Sequence, residues 1–332
     1  MEIKWNGIVG HEREIRRLRE MLREERLPHA LLFAGPQGVG KRRVAETLAA
    51  GILCGREEAP CGSCASCLAM QRGNHPDYYL LEPETAGKAG RSIKIEQVRA
   101  MQTEASRMPI LSGRRVVLID GAELMNEAAE NSLLKTLEEP VGQVVFLLVT
   151  SARASLLDTI LSRCMPLSFG MLEQEEVRTV LMQQGISAQQ AERWARLSDG
   201  SPGRAIQLVQ HGGQEMQQKV WEFLEQMEHL SMRQVFVQGK ELGELSRDAV
   251  GEWLGCLLTL LRDLLLLHLD GGSMLLYHPE LRERLLAMLG SFPEQRLFFL
   301  VEQVRETQGR LRTNVNLRLL MERFLIQCAM TR

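Results

Sequence analysis

Between residues 11 and 25, Ile15, Leu18, Met21 and Leu22 recur at helical spacing among arginines and glutamates, which predicts an amphipathic helix. The period then changes. Ala30–Ala34 is a short unbroken apolar run that stops at a glycine, the pattern of a strand buried on both faces, and helical patterning resumes from Lys41 through Leu53. Further buried strands are predicted over Tyr78–Leu81, Arg115–Asp120 and Val144–Thr150, separated by helices over 95–106 and 126–138. Strands that alternate with helices imply a parallel α/β sheet covered on both faces. After about Phe169 the strand signal stops. Helices are predicted over 173–184, 188–198 and 203–211, with Gly200-Ser201-Pro202-Gly203 as a punctuating turn. Beyond Gly212-Gly213 the chain reads as helical, broken at Gly271-Gly272 and Pro293. Three parts follow: an α/β domain at 1–169, a small helical domain at 170–212 and an all-α domain at 213–332.

At 332 residues the chain exceeds one ordinary domain, in keeping with that division. Apolar residues make up 45% and charged residues 25%, the balance of a soluble globular protein. A formal charge of −2 gives no electrostatic basis for free-standing binding to nucleic acid or to a membrane. The leucine-rich run 257–269 is interrupted by Arg262, Asp263 and His268 and is too short to cross a bilayer, so it reads as a buried bundle helix. The opening MEIKWNGIVGHE lacks the apolar stretch of a secretory signal, which predicts a cytoplasmic protein whose seven cysteines stay reduced.

Gly35 to Arg42 reads GPQGVGKR. In a phosphate-binding P-loop, glycines let successive N–H groups curl around phosphate oxygens, a lysine reaches the terminal phosphates, and a serine or threonine hydroxyl ligates magnesium. Gly35, Gly38, Gly40 and Lys41 fit that pattern; Arg42 takes the place of the hydroxyl. The loop falls between a predicted strand and a helix N-terminus, as an anion site requires. A P-loop enzyme also needs an acidic strand end to hold the metal, and Asp120 supplies it. The glutamate that should follow, to orient the attacking water, is Gly121, and Glu123 lies two positions further on. The glycines can still cradle an anion, whereas hydrolysis of Mg-ATP is not expected. Whether nucleotide binds without hydrolysis stays open.

Cys54, Cys61, Cys64 and Cys67 fall within fourteen residues. Four thiolates so close suit a tetrahedral zinc site, and with every position filled by cysteine no place is left for catalytic water, which makes the role structural. An iron–sulfur cluster is the rival, but Gln71 stands where its fourth cysteine belongs. His75 reads as a loop cap, and Cys256 and Cys328 as packing residues.

Ile8-Val9-Gly10, the P-loop, the cysteine cluster, Ile119-Asp120, the segment LLKTLEEP (133–140) and Ser162-Arg163-Cys164 together resemble bacterial clamp-loader AAA+ subunits, most closely those of the delta-prime type in the DNA polymerase III clamp loader. The resemblance covers the first two parts well and the third by length and helical character. It implies an AAA+ module, a lid and a C-terminal collar. It also implies a ring of five subunits, with delta and gamma or tau as partners, and a sliding clamp and primed DNA reached through the complex. In such a ring the delta-prime type acts as a rigid stator, and Arg163 would act as an arginine finger in the ATP site of a neighbour. Ile8 and Val9 would border the degenerate nucleotide site, Thr150 would be its polar sensor residue and Arg204 the second sensor, in the lid. Without the resemblance, Arg163 reads as a surface ion-pair partner, Thr150 as a strand end and Arg204 as a helix-start residue.

Two other functions compete with a non-hydrolysing subunit. An active gamma-like motor or related remodeller should carry serine or threonine at position 42 and glutamate at 121, and this chain has neither. A zinc-dependent nucleic-acid reader should surround the cysteines with basic residues, and only Arg56 and Arg72 lie near.

Overall fold

The apolar runs become strands because both of their faces are covered, so every residue of Ala30–Ala34 and of Val144–Thr150 is buried. The computed structural model describes residues 2–85, 91–140, 142–210, 213–269, 276–311 and 315–330. The strands among them are β1 (Glu2–Ile3), β2 (Ala30–Ala34), β3 (Glu58–Ala59), β4 (Tyr78–Leu81), β5 (Glu84–Thr85), β6 (Arg91–Ser92), β7 (Arg115–Asp120), β8 (Val144–Thr150) and β9 (Met165–Ser168). Five of these form one all-parallel sheet in the order β4-β7-β8-β2-β9. Because β2 pairs with β8 on one side and β9 on the other, the loop that follows it emerges in the middle of the sheet. Two small pairs lie outside the sheet and gave no sequence signal: parallel β1–β3 and antiparallel β5–β6.

The helices of this part are α1 (Glu12–Arg23), which precedes the first strand of the sheet, and α2 (Lys41–Cys54), α3 (Ala65–Gln71), α4 (Ile95–Ala105), α5 (Glu127–Glu138) and α6 (Asp158–Leu161), which lie in the connections between its strands. On α1 the four apolar positions expected at helical spacing, Ile15, Leu18, Met21 and Leu22, are the buried ones. Val98 and Met101 of α4 and Ala129, Leu133 and Leu137 of α5 close over Leu32, Val117, Ile119, Phe146 and Leu148 of the sheet to form its core. Asn126 begins α5 as an N-cap, its side chain accepting a hydrogen bond from Ala129 N at 2.8 Å. Three helices follow the sheet: α7 (Gln174–Gln183), α8 (Ala188–Leu197) and α9 (Pro202–Gln210). The expected end of the last one, His211, lies outside the described residues.

The chain divides into two compact units, residues 1–206 and 207–332, with the boundary inside α9. The described residues of the second unit form helices and no strand: α10 (Gly213–Gln226), α11 (Met232–Glu244), α12 (Arg247–Leu269), α13 (Arg282–Met288), α14 (Glu294–Leu311) and α15 (Leu317–Met330). The expected break at Pro293 directly precedes α14, whereas Gly271-Gly272 lies outside the described residues. The leucine-rich run belongs to α12, which buries Trp253, Leu257, Leu260, Leu261, Leu264 and Leu267. Its polar interruptions each hold a neighbouring segment. Asp263 accepts hydrogen bonds from Tyr277 N and His278 N, the Arg262 guanidinium lies 4.2 Å over the Tyr277 ring, and His268 Nε2 donates to Phe292 O. Cys256 and Cys328 are buried among these helices, as packing requires. Among the described residues no helix is long and apolar enough to cross a membrane.

Candidate functional site

Parallel strands collect their C-terminal ends along one rim of the sheet, where ligands of open α/β sheets bind. The P-loop leaves β2 at this rim, Asp120 ends β7 and Thr150 ends β8. The register sets them side by side: Ala34 pairs with Thr150, Asp120 pairs with Val149, and Gly35 N donates to Thr150 O.

Within the P-loop every carbonyl from Gly35 to Gly40 is engaged. Lys41 Nζ donates to Gly35 O at 2.7 Å and to Pro36 O at 2.5 Å. Ser201 Oγ donates to Gln37 O at 3.0 Å, Gly203 N to Gly38 O at 2.8 Å, and His11 Nε2 to Val39 O at 2.7 Å. Val44 N closes the series on Gly40 O. With their carbonyls taken up in this way, loops of this kind can offer N–H groups to an anion, as in an anion-binding nest. The lysine, however, is turned onto its own loop and is 5% exposed. Burial lowers its pKa, opposed by the charges of Glu123 and Asp120. The turn at Ser201–Gly203 rests directly on the loop. Gly38 sits at φ +76°, and a Cβ there would come 2.4 Å from Ser201 Oγ, so close approach as well as backbone conformation requires glycine.

Arg42 is turned onto carboxylates. Its Nη1 donates to Asp120 Oδ2 at 3.0 Å and also to Glu82, while Nε donates to Glu46 at 2.8 Å. Burial works against the guanidinium charge, but hydrogen bonds to Glu46 and Glu82 and the charges of Glu46 and Asp120 outweigh it and raise its pKa. Nothing in the sequence shows that three carboxylates from three parts of the chain meet at this arginine. The Tyr78 hydroxyl is buried beside them without a hydrogen-bond partner, and its pKa is raised by burial and by the charge of Glu46.

Position 121 is held at φ +75°, ψ 47°, a left-handed conformation that glycine adopts without strain. Glu123 is tied to Ser151, whose backbone N–H and hydroxyl both donate to Oε1. Thr150 is fully buried, and its hydroxyl accepts from Ala152 N at 3.1 Å. Arg204 donates to Asp199 at 2.8 Å, and its backbone N–H donates to Ser201 Oγ. Its main chain therefore lies near the P-loop while its guanidinium is engaged inside the helical segment. Ile8 and Val9 are half-buried, just ahead of Gly10, which faces Leu172 and Glu176. Arg163 follows α6 and is ion-paired with Glu138 at the end of α5.

The four cysteines are brought together at the end of α2 and the start of α3. Their Sγ atoms all lie within 4.8 Å of one another, with Cys54–Cys64 and Cys61–Cys67 each at 3.9 Å. Four thiolates 2.3 Å from one tetrahedral ion stand about 3.8 Å apart, so the spacing fits a closed four-thiolate site. N–H groups of Ser63 and Cys64 lower the pKa of the Cys61 thiol, whereas burial raises that of Cys67. His75 stays outside the cluster. It is buried, accepts from Asp77 N on Nδ1 at 3.0 Å, bonds Ser66 Oγ at 2.6 Å, and has its pKa lowered by burial. Asp77, which carried no sequence signal, accepts three backbone N–H groups from Ile110, Leu111 and Ser112 and fixes the loop behind the cluster.

A family model described as DNA polymerase III, delta subunit, matches residues 10–173. The DNA polymerase III delta-prime subunit of Pseudomonas aeruginosa is 42% identical over 200 residues, covering 58% of this chain and 60% of that protein. A tau/gamma subunit from Haemophilus influenzae is 37% identical over 172 residues, 51% of this chain and 24% of that one. The delta-prime subunit of Bacillus subtilis is 30% identical over 331 residues and aligns over 98% of both chains. With a match that runs through the sheet, the cysteine cluster and the helical second unit alike, this chain belongs to the DNA polymerase III delta-prime subunit family.

Proposed function

We propose that the chain is a non-hydrolysing stator of the DNA polymerase III clamp loader, which helps place the sliding clamp on primed DNA. One observation carries the reading: Arg42 occupies Asp120, the carboxylate that a motor subunit needs for magnesium. Three further features support it. Lys41 spends its ammonium on Gly35 O and Pro36 O, position 121 has no carboxylate, and Glu123 is held by Ser151. A site with its cation built in and its catalytic base missing has neither the charge to recruit Mg-ATP nor the group to activate water.

In this reading Gly35, Gly38, Gly40, Lys41, Asp120, Thr150 and Arg204, with Ile8 and Val9 at the margin, are a vestige that serves rigidity. Residues 170–212 are the lid and 213–332 the collar that joins delta and gamma or tau subunits in a pentamer. Arg163 enters the ATP site of a neighbour, where such a finger is worth roughly 10³ to 10⁵ in turnover. Cys54, Cys61, Cys64 and Cys67 would hold a structural zinc, which when bound supplies a crosslink between α2 and α3. The close spacing of the four thiols supports that choice of metal.

The test is reconstitution with the chain's own delta and gamma-type partners, measuring complex formation and ATP turnover. A silent chain that joins the complex and stimulates its partner's turnover is expected. Robust magnesium-dependent turnover by the chain alone would overturn the stator reading and favour a gamma-like motor.

A further inference from the structure

The segment LLKTLEEP and the triplet Ser162-Arg163-Cys164 lie apart in sequence, and the fold joins them through one contact. Glu138, the last residue of α5, accepts a hydrogen bond from Arg163 Nη2 across a separation of 25 residues. Arg163 Nη1 is also engaged, donating to Thr159 O at 2.8 Å and to Ser162 Oγ at 3.3 Å. A guanidinium carries five N–H donors. These three contacts leave Nε and one Nη2 hydrogen without an acceptor among the described residues, on a side chain that is 32% exposed.

We propose that Glu138 is a positioning residue for Arg163, holding the guanidinium at the protein surface so that its two remaining N–H groups can donate to the phosphate oxygens of a nucleoside triphosphate bound by a neighbouring subunit. The inference rests on the finger reading given above. A long arginine left free has to surrender its rotamer freedom when it engages a ligand, whereas one already held at three points has little left to lose. Glu138 takes a single N–H through one oxygen, so the guanidinium keeps two directions for a phosphate while this support remains. A latch that sequesters the charge would instead use both carboxylate oxygens on the fork of the guanidinium. An ion pair this exposed adds little to stability, so its value lies in geometry.

The experiment uses the reconstituted complex and measures clamp- and DNA-stimulated ATP turnover against ATP concentration. The variants are Glu138→Ala, Glu138→Gln, Arg163→Ala and the double variant Glu138→Ala/Arg163→Ala. Glu138→Ala should lower kcat about two- to fivefold, the size expected of an exposed supporting contact, with KM for ATP and complex assembly unchanged. Glu138→Gln, whose amide oxygen can still accept from Nη2, should recover most of that loss and covers the case in which the alanine variant folds poorly. The double variant should match Arg163→Ala alone, because Glu138 acts only through Arg163. The positioning role is overturned if Glu138→Ala equals or exceeds the unmodified chain, or if its loss persists in full beside Arg163→Ala. Unchanged turnover in Arg163→Ala itself removes the finger reading, an outcome separate from either of those.

Discussion

Arg42 Nη1 lies 3.0 Å from Asp120 Oδ2, which places a fixed cation at the one carboxylate that a phosphate-loop motor reserves for magnesium. Glu46 and Glu82 pair with the same guanidinium from α2 and from the turn after β4. Replacing Arg42 with serine, the hydroxyl a motor would carry, removes the cation and leaves three carboxylates facing one another. Arg42→Ser should cost about 1 kcal/mol, since the side chain is 40% exposed and the pairs are partly screened. Magnesium should then raise the melting temperature of the variant in a saturable way and leave the unmodified chain unaffected. Equal magnesium responses in the two proteins would show that Arg42 does not stand in for a metal. Hydrolysis should not return, because Gly121 still supplies no base.

Strands were legible where the sequence runs apolar without alternation: the observed limits of β2, β7 and β8, buried on both faces, and of the half-buried edge strand β4 coincide with those runs. The four metal-type cysteines were legible because their ligand spacing is local. What could not be read was set by contacts between distant segments. Nothing in GPQGVGKR shows that Glu82 and Asp120 receive Arg42, and nothing near LLKTLEEP shows that Glu138 supports Arg163. Asp77, between a proline and a strand, follows no period at all. The pairs β1–β3 and β5–β6 were missed because two-residue strands are too short to display alternation.

The thiol cluster predicts about one zinc per purified chain, released by a strong chelator. Removal should cost several kcal/mol or unfold the segment from Cys54 to Gln71 locally, because the four thiols are the crosslink between α2 and α3. Elemental analysis and hydrogen exchange over that segment check both points. Replacement by cobalt should give the absorption of a tetrahedral thiolate site, and a coloured, redox-active cluster in the protein as purified would refute zinc.

Asp77 predicts a pH dependence of stability. Burial pushes its pKa up, but the N–H groups of Ile110, Ser112 and Leu111 and the charge of Arg115 outweigh burial and hold it below the ordinary carboxylate value. A depressed folded pKa means that the stabilisation is complete above the unfolded value, near 4, and is lost as pH falls through the folded pKa. Asp77→Asn should therefore cost about 3 kcal/mol at pH 7, where the charged acceptor of three N–H groups is removed. Denaturant unfolding of both proteins should show that difference shrinking below pH 4. A difference that stays constant to low pH would mean that shape, not charge, holds the loop.

In the second unit, Asp263 does for α12 what Asp77 does for the 110–112 loop. Its carboxylate is fully buried and accepts from Tyr277 N and His278 N at 2.8 Å and from His278 Nδ1 at 2.9 Å. An aspartate in the middle of a leucine-rich helix would be costly to bury without partners, and these three donors are what make it tolerable there. Asp263→Ala orphans all three in a site that admits little water, so it should destabilise the unit by about 3 kcal/mol or more. Asp263→Asn keeps the volume and one good acceptor and should cost roughly half as much. Hydrogen exchange of Tyr277 and His278 gives the direct reading: their amides should lose protection in Asp263→Ala while those of β7 and β8 in the first unit keep theirs. Protection lost equally in both units would show that Asp263 supports the chain globally, and unchanged protection at Tyr277 and His278 would show that other contacts hold this segment to α12.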